Sequence, residues 1–72
     1  MYSEFFGKRL KEARQAKGLT LIQAEIATGL DSTKLSRIEN NKRQPTIEDL
    51  GILAQTYEVS LDWLFGNVKK EQ

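Results

Sequence analysis

Residues 31–45 read DSTKLSRIENNKRQP, and their types and spacing suit contact with a polyanion. Lys34, Arg37, Lys42 and Arg43 supply four cations, Ser32, Thr33 and Ser36 supply hydroxyls, and only Leu35 and Ile38 are large and apolar. Those two lie three apart, which puts them on one side of a helix. A helix that served only to pack a core would carry a wider apolar stripe, and a disordered basic tail would carry no such pair. Asp31, just ahead, is suited to cap the helix start. The stretch therefore buries one narrow face and offers the other to something outside the domain.

The rest of the inventory narrows the chemistry. The chain has 72 residues, no cysteine and no histidine. Disulfides and thiolate metal sites are excluded, and so are the commonest general acid/base and the commonest metal ligand. Scattered carboxylates on one small domain make a poor enzyme, and neither a cofactor motif nor a small-molecule pocket is legible. No apolar run reaches the ~20 residues that span a bilayer, and no signal-peptide pattern opens the chain, so the expected location is cytoplasmic, with no membrane partner. The formal net charge of +1 conceals a split: residues 1–43 balance at +4 and residues 44–72 at −3. An ordinary solvated surface can show this much asymmetry, but it also fits an anionic partner for the first half.

The elements that must position these residues are all helical. Ser3 is placed as the first N-cap, with Phe6, Leu10, Ala13 and Phe5 as the apolar stripe and Gly18 as the stop. Gly7 lowers helix propensity there and suggests a closely packed neighbour. Thr20 and Gln23 spell a capping box, so a second helix begins at about Leu21 and ends near Thr28, ahead of Gly29. The third runs from Ser32 to about Asn40. Thr46 caps a fourth, with Ile47, Leu50, Leu53, Ala54 and Tyr57 inward. Ser60 caps a short fifth, Leu61 to Phe65, stopped by Gly66. No strand alternation, internal repeat or low-complexity tract interrupts this all-α reading, a compact five-helix bundle. One domain is expected over residues 1–66, with a polar tail at 67–72.

Two short helices joined by a glycine turn form a helix-turn-helix, whose second helix enters the major groove of DNA. Three runs sharpen the pattern: RLKEARQAKGLT, ATGLDSTKLSRIENNKRQP and SLDWLFG. Together they resemble the Cro and phage-repressor type of helix-turn-helix domain, the xenobiotic-response-element family of bacterial regulators, over about residues 6–66. The resemblance implies a lambda-repressor-like bundle and double-stranded DNA as partner. It places Ser32 and Thr33 in the first turn of a base-reading helix, with Lys34, Ser36 and Arg37 beside them. Of these, Arg37 is the strongest discriminator, because a guanidinium can bond a guanine edge in a bidentate way, worth ~1–3 kcal/mol. The bland alternative for each is a solvated helix face.

The resemblance also implies that the exit NNKR meets phosphates through Asn40, Lys42 and Arg43, contacts that fix register without reading sequence. Asn41 stands where the family usually has glycine, and asparagine tolerates the left-handed backbone expected there. Arg14 and Glu39 match the family's internal ion pair. Two departures stand out. Leu21 replaces a glutamine that often meets a phosphate, which leaves Thr20 or Gln23 for that contact. The usual Leu-Ala of helix two becomes Ala24-Glu25, so either the helix is shifted or Glu25 has a partner. Trp63 and Leu64 read as core, and Leu61, Phe65 and Val68 as candidate contacts of a homodimer.

The function implied is a sequence-specific transcriptional regulator, a repressor that binds a near-palindromic operator as a dimer. A different class is a protein-interaction module, such as an antitoxin or immunity partner, for which few residues remain after Gly66. A third is a domain cut from a longer regulator; the initial Met and charged tail favour a complete small protein.

Overall fold

Helix starts follow the capping chemistry of the sequence. The computed structural model describes residues 2–66, with side chains from Phe6 onward. Its elements are α1 (Tyr2–Ala16), α2 (Leu21–Thr28), α3 (Ser32–Glu39), α4 (Ile47–Tyr57) and α5 (Leu61–Phe65), with no strand among the described residues. At α2, the Thr20 hydroxyl accepts from the Gln23 N–H and the Gln23 side chain accepts from the Thr20 N–H, a complete capping box. Thr46 and Asp49 close the same reciprocal pair at α4. Ser60 accepts from the Trp63 N–H at α5. One start departs from expectation: α1 begins at Tyr2, so Ser3 lies within the helix rather than capping it.

The core gathers one face from every helix. Phe6, Leu10 and Ala13 of α1 meet Ala24 of α2, Leu35 and Ile38 of α3, Leu50, Leu53 and Tyr57 of α4 and Leu64 of α5. Leu10, Leu35, Ile38, Leu53 and Leu64 are fully enclosed, each contributing ~1.5–3 kcal/mol. Phe65 tilts against Phe6 with ring centroids 4.9 Å apart, closing α5 onto α1. Ile47 corrects the expected core face: it is 89% exposed, because the first turn of α4 overhangs the bundle and turns Asp49 inward instead. The tail at 67–72, and Val68 within it, lies outside the described residues.

Gly7 explains how closely α1 and α3 approach. A β-carbon there would fall 2.5 Å from the Glu39 carbonyl oxygen, 2.6 Å from Asn41 Oδ1 and 2.9 Å from the Ile38 carbonyl oxygen. Glycine costs about 1 kcal/mol inside a helix. Here it lets the end of α3 rest directly on the α1 backbone.

Tyr57 is 2% exposed, and its hydroxyl has no hydrogen-bond partner among the described residues. Burial, with the Glu39 charge adding and the Arg14 charge opposing, pushes the phenol up to about 12 from 10.0. Because the folded value lies above the unfolded one, this contribution to stability is complete below pH 10.0 and is lost as pH rises towards 12. At about 1.36 kcal/mol per unit the loss is roughly 2–3 kcal/mol. Tyr57→Phe is expected to stabilise the domain by ~1 kcal/mol at neutral pH, since the orphaned hydroxyl disappears, and to flatten the alkaline decline. Denaturant titrations on either side of pH 10.0 test this. An alkaline decline of the same size in the variant rules the phenol out.

Candidate nucleic-acid interface

The candidate face sits on α3, an eight-residue helix whose two inward residues, Leu35 and Ile38, are 2% and 1% exposed. Asp31 opens it, one carboxylate oxygen accepting from the Thr33 N–H at 3.0 Å and the Lys34 N–H at 3.3 Å. With the inward residues anchored, the 3.6-residue period turns Thr33 and Arg37 to the opposite side, four apart and both exposed. Ser32 and Ser36 flank them and are half-buried. Arg37 lies in the last turn, where a cation suits the helix dipole.

Lys34 departs from the base-reading set. Its ammonium lies 3.0 Å and 3.2 Å from the two carboxylate oxygens of Asp49, so it points to the start of α4 rather than outward. Burial would raise the Asp49 pKa, but hydrogen bonds from Lys34 and from the Thr46 backbone outweigh it and hold the carboxyl below its ordinary value. The folded value is depressed, so this stabilisation persists above the ordinary carboxylate range and fades as pH falls through it. Asp49 therefore caps α4 and tethers α3 at once. Nothing in the local pattern announces this, because the two partners are fifteen residues apart.

The exit of α3 is a Schellman motif. The Lys42 N–H reaches the Arg37 carbonyl at 2.8 Å and the Asn41 N–H reaches the Ile38 carbonyl at 3.1 Å, with Asn41 at φ 62°. That turn projects Lys42 and Arg43 into solvent. Asn40 is exposed, and its amide donates to the Ser36 carbonyl at 2.9 Å, so one of its two hydrogens is already engaged.

Behind the exit stands the Arg14–Glu39 pair. Arg14 Nε donates to Glu39 Oε2 at 2.7 Å, Nη2 donates to Oε1 at 3.1 Å, and Nη1 donates to the Leu19 carbonyl at 2.7 Å. The Glu39 hydrogen bond raises the guanidinium pKa further, against the opposing effect of burial. One side chain thereby joins α1, the α1–α2 turn and the end of α3.

On α2, Thr20 and Gln23 are exposed and spend oxygen atoms on the capping box. Leu21 packs against the core and offers no polar contact. Glu25 does have a partner: its Oε1 accepts from the Ser32 N–H at 3.1 Å, across the turn. Ala24, fully enclosed, fills the core position beside it. Ile22 and Ile26 stand outward, 59% and 78% exposed. Leu61 is exposed on α5, whereas Phe65 is half-buried against Phe6. Trp63 carries the Arg9 guanidinium 4.6 Å above its ring. No group of side chains suited to a metal ion occurs among the described residues, and no helix there is long and apolar enough to cross a membrane.

Comparison with known proteins places this geometry. A family described as helix-turn-helix matches residues 10–64. The transcriptional regulator ImmR of Bacillus subtilis is 42% identical over 60 residues, covering 83% of this chain and 47% of its own length. A solved transcriptional regulator from Vibrio cholerae superposes with a TM-score of 0.82 at 31% identity, over 93% of this chain and 38% of that one. The restriction-modification controller protein C.AhdI of Aeromonas hydrophila superposes with a TM-score of 0.78 at 30% identity, over 85% of this chain and 92% of its own. The chain spans about half or less of the length of the curated relatives it matches.

Proposed function

The chain belongs to the helix-turn-helix family of transcriptional regulators, and on that premise we propose that it is a repressor that binds a specific double-stranded DNA site with α3 in the major groove. One observation carries the reading: α3 keeps Leu35 and Ile38 inside while holding Thr33 and Arg37 outside on a braced two-turn helix. Arg37 reads a guanine edge, with Thr33, Ser32 and Ser36 making less selective hydroxyl contacts. Lys42, Arg43, Asn40 and the donors of Thr20 and Gln23 take the flanking phosphates. Lys34 supports the reading helix through Asp49 and is left out of the base contacts.

Two copies related by a two-fold axis would set their reading helices ~34 Å apart and call for a near-palindromic operator. Leu61, exposed at the edge of α5, supports a dimer contact there. Phe65 contributes less, since its ring is engaged by Phe6.

Selection from a random duplex library tests the reading, because the half-site spacing it returns also reports the dimer geometry. On the selected operator, Arg37→Ala is expected to lower discrimination against random DNA by about tenfold or more while changing non-specific affinity little. Equal losses on both would assign Arg37 to a phosphate. Lys42→Ala and Arg43→Ala should each weaken binding to every sequence and make the salt slope shallower by ~1. An unchanged slope removes that residue from the backbone contacts.

A further inference from the structure

We infer that Glu25 is a positioning residue for the DNA-reading face, fixing where α3 starts and hence where Thr33 and Arg37 meet base edges. The inference rests on the DNA-binding reading above and adds a residue that touches no DNA.

Three backbone N–H groups open α3, and each is held by a carboxylate. Thr33 and Lys34 donate to Asp31, the residue just ahead of the helix. Such a cap is local and forms whichever way the helix points. Ser32 donates to Glu25 Oε1, which belongs to a different helix seven residues earlier. That bond depends on how α2 and α3 sit against each other. It is the sole side-chain hydrogen bond from α2 to α3 among the described residues.

The turn it spans is otherwise held by its own residues. Thr28 donates to the Ala24 carbonyl and accepts from the Leu30 N–H, and Gly29 takes the left-handed conformation at φ 80°. Those contacts shape the end of α2 without touching α3. Glu25 thus carries the register from one helix to the next. Glu39 and Lys34 tie the rest of α3 to α1 and α4. The helix is tied to three different neighbours, twice in its first turn through Ser32 and Lys34 and once at its last residue through Glu39, and Glu25 holds the tip that carries Ser32 and Thr33.

Glu25→Gln and Glu25→Ala, in the full chain, separate this role from a merely structural one. Glutamine keeps the accepting oxygen, and alanine is a good helix former that removes it. Hydrogen exchange of the Ser32 amide, measured without DNA, should quicken about tenfold in Glu25→Ala and stay within about threefold of wild type in Glu25→Gln. The ratio of operator to random-duplex affinity should fall about tenfold in the alanine variant and hold in the glutamine variant, with the salt slope unchanged in both. A residue acting on fold stability alone would lower the melting temperature and both affinities together, leaving the ratio untouched. If wild type prefers an operator and Glu25→Ala retains that ratio within about threefold, the inference is overturned and the DNA-binding reading stands. An equal loss in Glu25→Gln also overturns it, because charge and not the hydrogen bond would be responsible. If wild type prefers no duplex at low salt, the DNA-binding reading itself fails and takes the inference with it.

Discussion

Arg14→Ala lowers the melting temperature by more than about 12 °C, the expected result of stranding a buried carboxylate. The Arg14 and Glu39 side chains are only 9% and 6% exposed and share two short hydrogen bonds. Breaking such a pair by deleting one partner costs ~3–5 kcal/mol, since the survivor keeps its desolvation penalty and loses its counter-charge. The substitution also releases the Leu19 carbonyl, which Arg14 satisfies from the third guanidinium nitrogen. For a domain of this size each kcal/mol moves the midpoint by roughly 4–8 °C, and the total stability is itself only ~5–15 kcal/mol. Glu39→Ala should do similar damage from the other side. Replacing both residues with apolar ones of similar volume, Arg14→Leu with Glu39→Met, should recover much of the loss, because no unpaired charge remains. Calorimetry on the four proteins decides it. A fall of less than about 3 °C for Arg14→Ala would mean the pair contributes little.

Gly7→Ala is the second large effect, and its sign runs against helix propensity. In an open helix this change stabilises by about 1 kcal/mol. Here the new methyl would meet two backbone carbonyls and the Asn41 side chain, all inside 3 Å. Backbone atoms cannot swing aside, so α1 and the end of α3 have to separate, at a cost of ~1–3 kcal/mol or more beyond the propensity gain. The displaced segment is the Schellman turn that presents Lys42 and Arg43. The variant should therefore lose stability and also lose affinity for operator and random duplex alike. Guanidinium titration and binding at fixed salt measure the two losses. A variant as stable as wild type would show that the two helices can part without penalty.

Those residues also mark how far the sequence could be read. Every cap and stop but the first was legible, since Thr20 with Gln23, Asp31, Thr46, Ser60 and the glycines 18, 29 and 66 act on their immediate neighbours, whereas α1 starts at Tyr2, ahead of the expected cap Ser3. The inward face of α3, Leu35 and Ile38, followed from spacing, while the outward set came through family resemblance and included Ser32 and Ser36, which are half-buried. The Arg14–Glu39 contact came through family resemblance, and its third bond to the Leu19 carbonyl did not. What escaped was non-local. Lys34 looks like any other cation of the reading face until α4 is placed beside it with Asp49 turned inward. Ile47 shares a spacing with Leu50 and Leu53, yet the bundle ends before it, and periodicity carries no information about where a core stops. Glu25 looked out of place because its partner is a backbone N–H, which has no letter in the sequence.

The brevity of α3 has a consequence for how much information one copy can extract. Eight residues at ~1.5 Å each make a rod of ~12 Å, the length of three or four base pairs at ~3.4 Å per step. A word of four letters turns up by chance roughly once in every few hundred positions, far too often to mark a single address on a chromosome. Selectivity on that scale would come from pairing two words at a fixed separation. The gap between them then carries as much of the address as the letters themselves.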